Sequence, residues 1–178
     1  LKGVDTRALT RYLRQFGTLP GVLVKTREAG QEYWTNPEKR RVNSSEHWVY
    51  RSTVKEVYEI PGPGPLIAVL DFGVKRNIIR CLQKQGFRVM VFPARSSAEE
   101  ILRQRPRGLV ISNGPGDPAE LPEGVGIVGE LYDKLPVLGI CMGHQLLALA
   151  AGGRTYKLPY GHRGGNHPVL DIRSGGPP

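Results

Sequence analysis

The sequence predicts an α/β protein built on a doubly wound, mostly parallel sheet. Three observations carry that reading. Residues 66–72, LIAVLDF, form a continuous apolar run, the mark of a strand covered on both faces. From there onward strand-like and helix-like segments alternate, the pattern of right-handed βαβ units. Finally, Pro136–Leu149, PVLGICMGHQLLAL, reads as a short buried strand, a sharp turn and a helix, with Cys141 at the apex between Gly139 and Gly143. That spacing is a nucleophile elbow, with Cys in the place of Ser.

The elements follow in order. Asp5 or Thr6 caps a helix with apolar positions Leu9, Tyr12, Leu13 and Phe16, and Gly17 ends it. Arg7, Arg11 and Arg14 fall on its other faces as a solvated basic surface. TLPGVLV supplies a short strand at 22–24. Residues 25–65 are less regular, with isolated aromatics at Tyr33, Trp34, Trp48 and Tyr50 and a strand candidate, VKEVYEI, at 54–60. PGPGP at 61–65 breaks any element, so the domain boundary is placed there. Asn77–Gln85 is then a helix with Ile78, Ile79 and Leu82 inward and Gly86 as its stop. FRVMVF (87–92) is a strand. Ser97 with Glu100 makes a capping box that opens a helix over 98–105. GLVIS (108–112) is a strand, Gly124–Leu135 a helix through Val125, Val128, Leu131 and Tyr132, VLGI (137–140) a strand and 142–151 a helix stopped by Gly152 and Gly153. RTYKL at 154–158 is a last strand candidate.

Bulk properties narrow the function classes. The chain has 178 residues, room for one full domain and part of another. No run of about 18 apolar residues occurs, and the start has neither the apolar core nor the cleavage site of a signal peptide. It begins at Leu1 and ends in RSGGPP, and is expected to be a piece of a longer protein. Two cysteines without a CxxC pair do not make a disulfide scaffold, and a reducing, cytoplasmic setting is expected. The net charge of +9 is spread along the chain without interleaved aromatics or a nucleic-acid module. That argues against nucleic acid and leaves room for docking onto an acidic partner.

Sites of parallel sheets gather at the carboxyl ends of the strands. Two loops with unusual chemistry leave those ends: SNGPGDP at 112–118 and the turn at Cys141. Gly114 and Gly116 leave backbone N–H groups bare for an oxyanion or an α-carboxylate. Cys141 stands at a helix N-terminus, where unpaired N–H groups and the macrodipole favour negative charge. Its oxyanion hole would draw on the N–H of Met142 and one from the glycine loop. Cys81, beside Ile78 and Leu82, is read as a small buried hydrophobe instead. His144 is expected to pack or hydrogen-bond, because an elbow takes its base from a later strand. His162 and His167 are the base candidates, without a matching carboxylate at a sensible spacing. No metal site is expected, since the histidines lack paired i,i+4 spacing.

At these residues the chain resembles the class I, triad-type glutamine amidotransferases. GICMGHQ is similar to their nucleophile motif and SNGPGDP to their oxyanion and glutamine loop. GHRGGNHPV, GVDTRALTRYLR and TLPGVLV narrow the resemblance to the family of small, glutamine-hydrolysing chains of carbamoyl phosphate synthases. The likeness covers nearly the whole chain and is weakest over 28–52. It implies that Cys141 is the nucleophile, forming a γ-glutamyl thioester. Gly114, Gly116, Met142 and Gln145 would bind the glutamine. Ammonia would pass through a tunnel to a large synthetase subunit of a heterodimer, for carbamoyl phosphate and thence arginine and pyrimidine synthesis. No cofactor is expected in this chain, with ATP and Mg in the partner. Residues 1–27 become the remnant of a smaller N-terminal domain, 28–65 a linker and 66–178 the amidotransferase domain. The family's catalytic His and Glu lie in QNHG-type and HPE-type segments that this sequence lacks, so these 178 residues alone are expected to be inactive. A glutaminase serving GMP or anthranilate synthesis, or a non-catalytic docking module, are the other readings.

Overall fold

The computed structural model describes residues 4–17, 19, 21–36, 45–159 and 172–173. The chain divides into two units, Leu1–Arg40 with Tyr156–Pro178, and Arg41–Thr155.

In the first unit α1 spans Thr6–Phe16. Asp5 is the cap, its carboxylate accepting from the Ala8 N–H at 2.9 Å. Gly17 ends the helix at φ 81°, giving its N–H to the Leu13 carbonyl. The helix is amphipathic, yet none of its residues is buried, and Leu9, Tyr12 and Phe16 remain about half exposed. The Tyr12 and Phe16 rings pack on one another at 4.6 Å. α2 (Arg27–Thr35) starts at a Thr26 cap. Val22–Val24 is not a strand: among the described residues nothing runs beside it to complete a ladder.

The second unit holds the sheet. Its helix α3 (Ser45–Ser52) places Val49 in the core. There follow β1 (Tyr58–Ile60), β2 (Leu66–Asp71), α4 (Arg76–Lys84), β3 (Arg88–Pro93), α5 (Ala98–Arg103), β4 (Gly108–Ile111), α6 (Pro122–Leu131), β5 (Val137–Gly139) and α7 (Met142–Ala150). The stretch 28–65, expected as a linker, thus carries α3, which reaches the core through Val49, and β1, which joins the sheet. The sheet order is β1-β3-β2-β4-β5, with β1 antiparallel on the edge and the rest parallel. β2 and β3 pair Leu66 with Arg88 through Asp71 with Pro93, and β4 and β5 pair Leu109 with Val137.

The two faces are sorted by strand alternation. Ala68, Leu70, Leu109, Ile111 and Phe92 point to one face, where they pack with Ile101, Val128, Leu131, Met142 and Leu146. Val69, Val89, Val91 and Val110 point to the other, where Ile79 of α4 covers them. Each fully buried Leu or Ile in these layers contributes about 1.5–3 kcal/mol. Helices on both faces make the sheet doubly wound. β2 leads to β3 on one side, and β3 returns across β2 to reach β4. The direction of winding therefore reverses between β2 and β4, the switch point where such folds place their ligands.

Local signals decide the ends of most elements. Ser97 and Glu100 form both halves of the capping box. α6 stops at Leu131, four residues short of Leu135, with Tyr132 as its C-cap. RTYKL is not a strand among the described residues, for want of a neighbouring ladder. Cys81 is exposed, contrary to its expected burial. At about 100° per residue it stands some 200° round α4 from the buried Ile79, on the outward side. Its sulfur lies 3.9 Å from the Asn77 amide.

Candidate active site

Cys141 has φ 53° and ψ −108°, one of two non-glycine residues with positive φ among those described. A side chain in that region costs about 1–3 kcal/mol, so the surroundings must impose it. The imposing contacts are visible. Ile140 N–H donates to the Ile111 carbonyl at 3.0 Å, and Gly143 N–H lies 3.0 Å from both the Ser112 and the Ile140 carbonyls. A Cβ at Gly139 would come within 2.7 Å of the His144 backbone, and one at Gly143 would run into the Ile111 carbonyl. Both glycines are therefore needed to fold the turn flat onto the end of β4. What results is a strand-to-helix elbow with an exposed sulfur at its tip.

α7 begins directly after Cys141. Its first-turn N–H groups have no helical partner by construction. Gly143 N–H finds Ser112, whereas those of Met142 and His144 meet no backbone acceptor among the described residues. The Met142 side chain is in the core, so that residue offers the site only its backbone. Gln145 is half-buried, its N–H bonded to the Cys141 carbonyl at 3.1 Å. His144 is exposed rather than packed. His162 and His167 lie outside the described residues.

The glycine loop starts beside the elbow, because Ser112 receives Gly143. Gly114 lies so close to the Phe72 carbonyl that a Cβ there would sit 2.5 Å from it, and Gly116 has φ 96°. The structure thus brings Gly114 and Gly116, expected as ligand-binding, to the carboxyl end of the strand beside the one that carries Cys141.

Residues passed over in the sequence hold this loop in place. Ser112 is fully buried; its hydroxyl accepts from Phe72 N–H at 2.9 Å and donates to the Asn113 carbonyl at 2.8 Å. The Asn113 amide donates to the Gly73 carbonyl at 2.9 Å and accepts from Lys75 N–H at 3.1 Å. Asp71, 1% exposed, accepts from the N–H groups of Gly73 and Val74 with one oxygen and of Val54 with the other. These bonds span the switch point, tying the turn after β2 to the loop after β4. A Ser-Asn pair preceding the glycine was the available signal, since both types hydrogen-bond local backbone readily.

A second polar group lies at the end of β3. Arg95 stacks on the Tyr50 ring at 3.5 Å, and both reach Glu123, at 3.0 and 2.9 Å. Burial pushes the Tyr50 phenol up; Arg95 opposes this and Glu123 reinforces it. The group clips α3 to α6 and, being half exposed, contributes modestly. Among the described residues no three His, Cys, Asp or Glu side chains gather as a metal site.

Residues 68–176 match the family description "Glutamine amidotransferase class-I". The chain belongs to that family. The matched stretch contains both the elbow and the glycine loop of this amidotransferase. Curated relatives include the carbamoyl phosphate synthase small chains of Symbiobacterium thermophilum, 48% identical over 98% of this chain and 50% of the relative, and of Bacillus anthracis, 47% identical over 98% and 47%. That of Bacillus caldolyticus is 43% identical over 98% of this chain and 48% of its own length. The chain spans about half the length of the curated relatives it matches. Among the described residues no helix is long and apolar enough to cross a membrane.

Proposed function

We propose that this amidotransferase belongs to a carbamoyl phosphate synthase small chain, a cytoplasmic glutaminase that passes ammonia to a large synthetase subunit. The observation that carries the reading is the strained Cys141, held by Gly139 and Gly143 against the start of the glycine loop. The names of the relatives supply the choice of synthetase.

The chemistry follows from the groups present. The Cys141 sulfur attacks the side-chain amide carbon of glutamine, and the carbonyl oxygen becomes an oxyanion. Met142 N–H and an N–H of Gly114 or Gly116 would bind that oxygen. Losing one such donor typically costs about 10²–10³ in rate. The C–N bond then breaks, the thiol proton leaves with the nitrogen as ammonia, and a γ-glutamyl thioester remains. Water hydrolyses the thioester to glutamate and restores the thiol. Gly114, Gly116 and Gln145 hold the substrate, and the large subunit binds ATP and Mg and consumes the ammonia to make carbamoyl phosphate for arginine and pyrimidine synthesis.

The test is covalent labelling. A glutamine-mimicking diazo-ketone applied to the complete gene product should modify Cys141 stoichiometrically and abolish ammonia release, with excess glutamine protecting. Modification of Cys81 instead, or no protection, would refute the assignment.

A further inference from the structure

Among the clefts that the described residues of the sheet unit form, two differ in their charges. The one between α5 and α6, about 400 Å³, is lined by Ala98, Glu99, Leu102, Arg103, Glu130 and Lys134. Its two cations are matched by two carboxylates, and Arg103 pairs with Glu99 at 2.9 Å. The other, about 260 Å³, is lined by Tyr58, Val74, Arg76, Ile79, Arg80 and Gln83. It has two guanidinium groups and no carboxylate. The imbalance is written in the sequence: residues 72–98 contain Lys75, Arg76, Arg80, Lys84, Arg88 and Arg95 but no Asp or Glu. Arg88 and Arg95 borrow Glu59 and Glu123 from other segments. Arg76 and Arg80, one turn apart on α4 and both exposed, meet no carboxylate among the described residues.

The cleft stands at the β1 edge of the sheet, whereas Cys141 follows β5 at the other edge, and the two are linked only through the packed layer and the turn after β2. The cleft's apolar floor, Val74 and Ile79, belongs to the same packed layer as Ile140, the residue before Cys141. Its rim runs into the turn after β2 that Asp71 and Asn113 fasten to the glycine loop. A Tyr hydroxyl, a Gln amide and two forked guanidinium groups above an apolar floor suit carboxylates presented by a protein segment with aliphatic stems.

We propose that this cleft is where the ammonia-consuming partner docks, through an acidic segment whose carboxylates engage Arg76 and Arg80. The inference rests on the reading of the chain as a glutaminase subunit. It gives the positive charge of the chain a specific use, seating the partner on the face of the sheet that α4 covers.

The test uses the complete small chain with its synthetase partner. The double variant R76E/R80E should weaken association by roughly tenfold or more, with a flatter salt dependence. Glutamine-dependent synthesis should fall with it, whereas synthesis from added ammonium should not. R76Q/R80Q should give an intermediate loss, and Y58F a smaller one. The control R103E/K134E changes the same number of charges at the other cleft and should leave association within twofold. Unaltered association in R76E/R80E, or an equal loss in the control, would overturn the docking assignment. A wild-type protein that releases no ammonia from glutamine would instead overturn the glutaminase reading, so the two failures are distinguishable.

Discussion

Cys81 and Cys141 are the two cysteines of this chain, and both are exposed. Exposure therefore does not by itself single out the proposed nucleophile. The backbone does. Cys81 lies within the ordinary helix α4, on the side turned away from the sheet. Cys141 stands at φ 53° in a turn that two glycines compress onto β4, with the free amides of α7 behind it. The role proposed for Cys141 rests on the chain path around its sulfur, and substitutions can break or sharpen that contrast.

The largest effect concerns the chemistry. Cys141→Ser should lower ammonia release from glutamine by about 10³-fold or more in the complete protein, as loss of a nucleophile generally does. Cys81→Ser should leave the rate within twofold. A glutamate-release assay on both variants decides the matter, and comparable losses would mean that the elbow is not the reactive centre.

Next comes the tightness of the turn. Gly143→Ala places a Cβ against the Ile111 carbonyl, backbone against which no rotamer can adjust. A destabilisation of about 3 kcal/mol or more is expected, at the upper end for overpacking. Gly126→Ala on α6 meets nothing within 4 Å and should instead gain up to about 1 kcal/mol of helix propensity. Urea unfolding midpoints measure both. A mild loss at Gly143 would show that the elbow can open.

How much of this was legible in the residues depends on the distance over which each signal acts. Strands β2, β3 and β4 declared themselves as apolar runs, and the Ser97 cap and the Gly139–Gly143 turn as local spacing. All of these are settled within a few residues of chain. Val22–Val24 and RTYKL misled because a strand exists only with a neighbour, and β-like composition says nothing about one. Cys81 misled because adjacency to Ile78 and Leu82 in sequence is not adjacency on a helix face. The expected loop chemistry at Gly114 and Gly116 came from glycine positions. The stitching by Asp71, Ser112 and Asn113 did not, because its partners lie 17, 40 and 38 residues away. α3 was hidden for a similar reason: a largely polar octet is helical here with a fully buried anchor at Val49.

The smallest effect is the most diagnostic, because it has opposite signs at the two cysteines. Glycine tolerates the φ and ψ of residue 141, so Cys141→Gly should relieve about 1–3 kcal/mol of backbone strain. The added freedom of the unfolded chain offsets about 0.5–1 kcal/mol of that. The net expectation is a gain of about 1 kcal/mol in a protein that has lost its proposed nucleophile. Cys81→Gly falls in a helix interior and should cost about 0.5 kcal/mol. Denaturant titrations with unchanged m-values resolve differences of this size as shifts in midpoint. If Cys141→Gly is neutral or destabilising, the thiol contributes packing that outweighs the strain. The elbow would then be a relaxed turn, and the stability set aside to hold a sulfur at its tip would have to be sought elsewhere.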